Sequence, residues 1–180
     1  MIKVAILTGY GINCEEETAY AFGLAGGRAE IVHINDVVEK IKHLKDFQIL
    51  VFPGGFSYGD DTGSGNAFAN RMKNHLWEKV LSFVKKDKLV IGICNGFQIM
   101  VNLGLLPALE GDFGERKVAL THNERARYLD RWVDLKNENK NYWFKGIGEI
   151  SLPIAHGEGR FYAEDKIINE IKEKNLVVLR

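Results

Sequence analysis

Apolar residues fall in short runs divided by polar, glycine-containing segments. Residues 2–8 (Ile2 to Thr8), 29–34, 47–53 and 89–93 are strand-length and largely apolar, as expected of strands buried on both faces. Between them the pattern is helical. Asn13 stands as an N-cap with Glu16 three residues on, in capping-box spacing, and Glu15, Glu16 and Glu17 fill a first turn where the helix dipole favours acids. Gly26-Gly27 ends that helix, and a short one is expected over 37–44. From 66 to 86, Phe68, Met72, Leu76, Val80 and Val84 recur every four residues, and Trp77, Leu81 and Phe83 widen the stripe, which predicts one long amphipathic helix. After 89–93, Phe97, Ile99, Met100, Val101 and Leu103 continue as a helix that Gly104 stops. This alternation predicts an α/β fold, a mostly parallel sheet with right-handed crossovers and helices on both faces.

Beyond Gly104 the texture changes. Residues 117–121, 128–135 and 149–155 read as strands between polar loops, 163–174 as a polar helix carrying Ile167, Ile168 and Ile171, and 175–180 as the start of another strand. There is no internal repeat, low-complexity tract or linker, so residues 1–180 are expected to form a single domain.

Charge and cysteine usage narrow the classes. Lys and Arg number 24, as do Asp and Glu, so the net charge is zero and neither nucleic acid nor an anionic membrane is an expected partner. The apolar runs are too short to span a bilayer, and Met1 to Val4 enters a strand directly, with no signal peptide. Cys14 and Cys94 make neither a disulfide framework nor a metal spacing. A cytoplasmic protein with reduced thiols and no metal is expected.

The candidate chemistry sits at Gly92-Ile-Cys-Asn-Gly96, where a strand turns into a helix. This is the G-x-nucleophile-x-G elbow with cysteine as the nucleophile. A lone cysteine reads as a small buried apolar residue; the two glycines and the strand-to-helix turn favour a nucleophile, and the helix N-terminus behind Cys94 favours its thiolate. A cysteine attacking an amide needs an oxyanion hole, a base and a substrate clamp. The N–H of Asn95 is one oxyanion donor, and Gly54-Gly55, at the end of the neighbouring strand, can supply the second. Gln98, one helical turn after Cys94, can turn its amide to the substrate's polar end.

These residues resemble those of the class I (triad) glutamine amidotransferases, and more narrowly the glutaminase subunits of phosphoribosylformylglycinamidine synthases. The resemblance rests on Pro53-Gly-Gly-Phe-Ser-Tyr-Gly-Asp60, Gly92-Ile-Cys-Asn-Gly-Phe-Gln98, Asn102-Leu-Gly-Leu-Leu-Pro107, Arg131-Trp-Val133, Pro153-Ile-Ala-His-Gly-Glu-Gly-Arg160 and the pair Asn13-Cys14, and covers essentially the whole chain. It implies a flavodoxin-like architecture and glutamine hydrolysis through a glutamyl thioester on Cys94. The ammonia would pass to a synthase subunit that converts formylglycinamide ribonucleotide to formylglycinamidine ribonucleotide in purine biosynthesis. L-Glutamine, the ATP-dependent synthase subunit and a small accessory subunit are the implied partners; ATP and magnesium belong to the synthase, and this chain carries no cofactor.

The resemblance also assigns the base to a histidine in a His-Pro-Glu motif near the family's C-terminus. No His-Pro occurs in this sequence, so the domain is expected to lack its C-terminal segment and to turn glutamine over poorly as it stands. His156 and Glu158 have a His-x-Glu spacing and are the alternative base pair, but they match a family segment upstream of that motif. A structural or subunit-facing role is favoured for them. Asp60-Asp61 reads as a solvated loop pair, and Cys14 as an inert, half-buried thiol. His33, His43, His75 and His122 show no ligand spacing. The loop 54–65 lacks the G-x-x-x-x-G-K-[ST] pattern of a phosphate-binding loop. Three readings compete: a glutaminase, a catalytically incomplete assembly module of the same fold, and a different cysteine enzyme using a local histidine.

Overall fold

Val4, Ala5, Ile6 and Leu7 are each no more than 1% exposed, and Leu50, Val51 and Phe52 are as deeply buried. Strands enclosed this way lie in the middle of a sheet covered on both faces. The computed structural model describes residues 1–86, 88–139 and 141–180, and separates them into two compact units, 1–105 and 106–180.

In the first unit, β1 (Lys3–Thr8), β2 (Arg28–His33), β3 (Ile49–Phe52) and β4 (Leu89–Gly92) form a parallel sheet in the order β2-β1-β3-β4. The α/β expectation holds. Helices connect the strands: α1 (Glu15–Leu24), α2 (Ile34–Val38), α3 (Asn66–His75), α4 (Trp77–Val84) and α5 (Asn95–Leu103). Val4, Ile6 and Val51 form one buried cluster, onto which Ala19 and Phe22 of α1 pack with Ile49 and Ile91. Burying each such aliphatic or aromatic side chain stabilises by about 1.5–3 kcal/mol.

Three local expectations are corrected. Cys14, not Asn13, is the N-cap of α1, with no side-chain capping bond. Asn13 Oδ1 instead accepts from Cys14 Sγ (3.3 Å), while Glu15 Oε1 accepts from Thr8 Oγ1 (2.9 Å). The short helix begins earlier, at Ile34, capped by the His33 ring accepting from the Asn35 N–H, and ends by Val38. The long helix is two, α3 and α4, broken at Leu76 (φ −127°, ψ 0°). A residue repeated every four drifts about 40° around a helix of 3.6 residues per turn at each step. An unbroken helix would carry the far end of the stripe off the sheet; the break returns Val80 and Phe83 to the interior.

The second unit has two antiparallel pairs. β6 (Leu129–Lys136) pairs with β7 (Glu149–His156), and β5 (Ala119–Thr121) with β8 (Arg160–Tyr162); α6 is Asp165–Glu173. The sequence pattern did not reveal β8, which has only three residues, all exposed. The expected final strand is reduced to a bridge between Asn137 and Leu179. Among the described residues no helix is long and apolar enough to cross a membrane.

Candidate active site

The first unit builds the elbow as the sequence implies. β4 ends at Gly92, α5 begins at Asn95, and Cys94 between them takes φ 53° and ψ −115°. That conformation is costly for any residue with a Cβ, of order 1–3 kcal/mol. It is Cys94, and neither flanking glycine, that carries the positive φ. The flanking glycines serve a different need, close approach. A Cβ on Gly96 would stand 1.8 Å from the carbonyl oxygen of Phe52, and one on Gly92 would stand 2.8 Å from the backbone of Gly96. The first turn of α5 is therefore pressed against the carboxyl end of β3. The N–H groups of Gly96, Phe97 and Gln98 bond back to the carbonyls of Ile93 and Cys94. The N–H of Asn95, next after Cys94, lies outside these bonds. Cys94 itself is exposed.

The loops after β1 and β3 meet beside it. Phe56 N–H donates to Gly11 O (2.8 Å), Asn13 N–H to Gly54 O (3.4 Å) and Cys14 N–H to Gly54 O (3.3 Å). The N–H groups of Gly54 and Gly55 donate none of the bonds that tie these loops. Gly54 faces both cysteines: a Cβ there would lie 3.4 Å from Cys14 Sγ and 3.6 Å from Cys94 Cβ. Cys14 is half-buried. Burial pushes its thiol up from the ordinary value, and the charges of Glu17, Cys94 and Glu15 push the same way. At neutral pH it is a protonated, sluggish nucleophile.

Gln98 is buried, and its Oε1 accepts from Asn95 Nδ2 (3.0 Å). The wholly buried Asn95 in turn accepts the Ser57 N–H on Oδ1 (3.1 Å). Three residues from two segments thus lock the loop after β3 to the first turn of α5. Asn95→Ala removes the partner of a buried backbone N–H, and we expect a loss of about 1–3 kcal/mol in urea unfolding. The sequence reading used only the backbone of Asn95. Its side chain became informative once the fold brought Ser57 opposite.

A second cluster went unread because its members lie far apart in sequence. Tyr10 stacks edge-on against His33, accepts from Asn35 Nδ2 (3.0 Å) and lies beneath the Arg71 guanidinium (5.4 Å to the ring centre). Arg71 also donates to Asn35 Oδ1 (2.8 Å). This knot joins the carboxyl ends of β1 and β2 to α3 and explains His33 without a metal.

In the second unit, Asn123 Nδ2 donates to the carbonyls of Arg127 (2.9 Å) and His156 (2.8 Å). Its Oδ1 accepts from the Gly159 N–H (3.1 Å) and faces His156 Nδ1 (3.0 Å). The amide is oriented by three backbone partners, so His156 Nδ1 must donate. Glu158 lies 3.5 Å from His122 Nδ1. The two residues of the His-x-Glu pair are thus engaged by Asn123 and His122. Asp60 and Asp61 sit in a single turn of 3₁₀ helix, Asp61 exposed, and no cluster of metal-ligating side chains occurs among the described residues.

Comparison with known proteins agrees with this geometry. Residues 1–180 match the CobB/CobQ-like glutamine amidotransferase domain. The phosphoribosylformylglycinamidine synthase subunit PurQ of Methanococcus maripaludis is 53% identical over 177 residues, covering 98% of this chain and 65% of the relative. The subunit of the same name from Dehalococcoides mccartyi is 44% identical over 172 residues, covering 94% of this chain and 67% of the relative. The chain thus spans about two thirds of the length of these relatives. Among solved structures, a chain of PurLQS from Thermotoga maritima superposes with a TM-score of 0.74 at 30% identity, over 91% of this chain and 70% of that one. The sequence, the elbow and the parallel sheet agree, and the chain belongs to the CobB/CobQ-like glutamine amidotransferase domain family.

Proposed function

We propose that the chain hydrolyses L-glutamine as the glutaminase part of a phosphoribosylformylglycinamidine synthase. The observation that carries this reading is the backbone of Cys94, held at positive φ at the head of α5. Its thiolate attacks the carboxamide carbon. The oxyanion that develops is received by the N–H of Asn95 and by the Gly54-Gly55 backbone. The proton that the thiol gave up is returned to the departing ammonia, and water then hydrolyses the thioester to glutamate and the free thiol. Gln98 remains the proposed clamp on the polar end of glutamine, and its Oε1 also holds Asn95 and, through it, the loop of Ser57, so Gln98→Leu should raise the KM for glutamine and slow thioester formation in steady-state assays.

The ammonia passes to an ATP-dependent synthase subunit, with a small accessory subunit in the same assembly. The names PurQ and PurLQS among the relatives support this. ATP and magnesium are used there and not by this chain. Both units act as one amidotransferase domain, which a family match running from 1 to 180 favours. Reducing conditions in the cytoplasm would keep Cys94 a thiol.

A second reading, an assembly module that retains the elbow, is favoured by the pairing of His156 with Asn123 and of Glu158 with His122. We assign those residues to shaping the turn 156–160 and not to general-base work. A diazo-ketone analogue of glutamine distinguishes the readings. The glutaminase should be alkylated at Cys94 and not at Cys14, with protection by glutamine. Labelling of Cys14 in preference, or labelling that glutamine does not slow, would favour the module.

A further inference from the structure

We propose that Cys14 and Cys94 form an oxidative modification site, in which a peroxide joins them in an intramolecular disulfide across Gly54. The consequence for activity rests on Cys94 being the nucleophile, as proposed above; the chemistry of the site does not.

The two cysteines are 80 positions apart in the chain, yet the fold sets them on either side of one residue without a side chain. A single point, the place of a Cβ on Gly54, lies 3.6 Å from the Cβ of Cys14 and 3.6 Å from the Cβ of Cys94. The two Cβ atoms are therefore within twice that distance of each other, and a bridge requires them to close to about 3.5–4.5 Å. Gly54 puts no side chain at that point, so the two segments can close across it and rotation about χ1 can then turn both sulfurs toward one another. The backbone holds them there. Cys14 N–H donates to Gly54 O (3.3 Å), and Ile93 N–H, just before Cys94, donates to Phe52 O (3.0 Å), so both cysteines are tied to the carboxyl end of β3. Electrostatics reports the same closeness, since the charge of Cys94 is felt at the Cys14 thiol. Neither cysteine is in a disulfide in this structure.

The two thiols differ in exposure, and that sets the order of events. Cys94 is exposed and Cys14 half-buried, so peroxide meets Cys94 first. The Cys94 thiolate displaces hydroxide from hydrogen peroxide, giving a sulfenic acid and, after protonation, water. Cys14, sluggish as a free nucleophile but held beside that sulfur, then loses its proton and attacks it, a second water leaves, and the S–S bond forms. In total two thiols and one peroxide give one disulfide and two waters. A dithiol reductant reverses it. Without a neighbouring thiol, the sulfenic acid can be oxidised again to a sulfinic acid, which dithiols do not reduce. Cys14 thereby keeps the nucleophile recoverable.

The test uses the purified chain, hydrogen peroxide, alkylation of remaining thiols and tryptic mass spectrometry. Cys14 falls in the peptide Val4 to Arg28 and Cys94 in Leu89 to Arg116. We expect these two peptides linked within a monomer, and both thiols recovered after dithiothreitol. In Cys14→Ser the link is absent and Cys94 accumulates as sulfinic acid that dithiothreitol does not recover. Cys94 oxidised to sulfinic acid in the wild-type chain while Cys14 stays alkylatable, or a link found only between two chains, overturns the proposal. Because the link forms without glutamine, its failure leaves the nucleophile assignment to be judged by diazo-ketone labelling alone.

Discussion

Gly96→Ala is expected to be the most damaging single methyl that can be added to the first unit. The new Cβ would lie 1.8 Å from the Phe52 carbonyl oxygen and 2.4 Å from its carbon. These are backbone atoms of a central strand, so no side chain can swing aside. Either α5 lifts from β3 or the end of β3 is displaced. Overpacking that moves backbone costs about 3 kcal/mol or more, a large part of the ~5–15 kcal/mol of a typical domain. Urea unfolding should show a much lower midpoint or no folded baseline. Gly23→Ala is the control: it lies in α1, nothing stands within 4 Å of the added methyl, and helix propensity predicts a gain of about 0.5–1 kcal/mol. Near-equal midpoints for the two variants would show that the contact of α5 with β3 is looser than described.

Cys94→Ser should leave the fold intact and remove ammonia release from L-glutamine, measured with the synthase partner present. The hydroxyl replaces a thiol of similar shape, so the exposed elbow has little reason to rearrange. A serine at neutral pH has almost no alkoxide, whereas a cysteine is already a few per cent thiolate. Removing the nucleophile of a covalent hydrolase costs at least about 10³-fold in turnover. Retention of more than a tenth of the activity would mean that glutamine is attacked by another group, and Cys94 would lose its assigned role. Wild-type chain and variant should unfold at similar urea concentrations.

Much of the first unit was legible because its strands are continuous apolar runs, a signature that needs no tertiary information. Leu50, Val51 and Phe52, like Val4 to Leu7, proved buried on both faces. The elbow was legible because two glycines and a cysteine at fixed spacing have few other uses. What stayed hidden depended on partners distant in sequence. Nothing local says that Asn95 would face Ser57, that Arg71 would cover Tyr10, or that Gly54 would stand between two thiols. The break at Leu76 was hidden for another reason. A four-residue repeat looks like a single helix until its slow rotation is compared with a fixed sheet. In the second unit, β6 carries little contrast between its faces, with only Val133 and Leu135 half-buried, so its hydrophobic pattern fixes less.

The positive φ of Cys94 has a consequence for the history of such a chain. The residue proposed to attack glutamine is also one that the backbone would rather not hold, by about 1–3 kcal/mol. Glycine is the residue that turn tolerates best. A lineage released from the demand for ammonia would relieve this strain by exchanging Cys94 for glycine. The persistence of cysteine at such a corner, in any descendant of this protein, would therefore record continuing selection for its chemistry and not the inertia of a stable core.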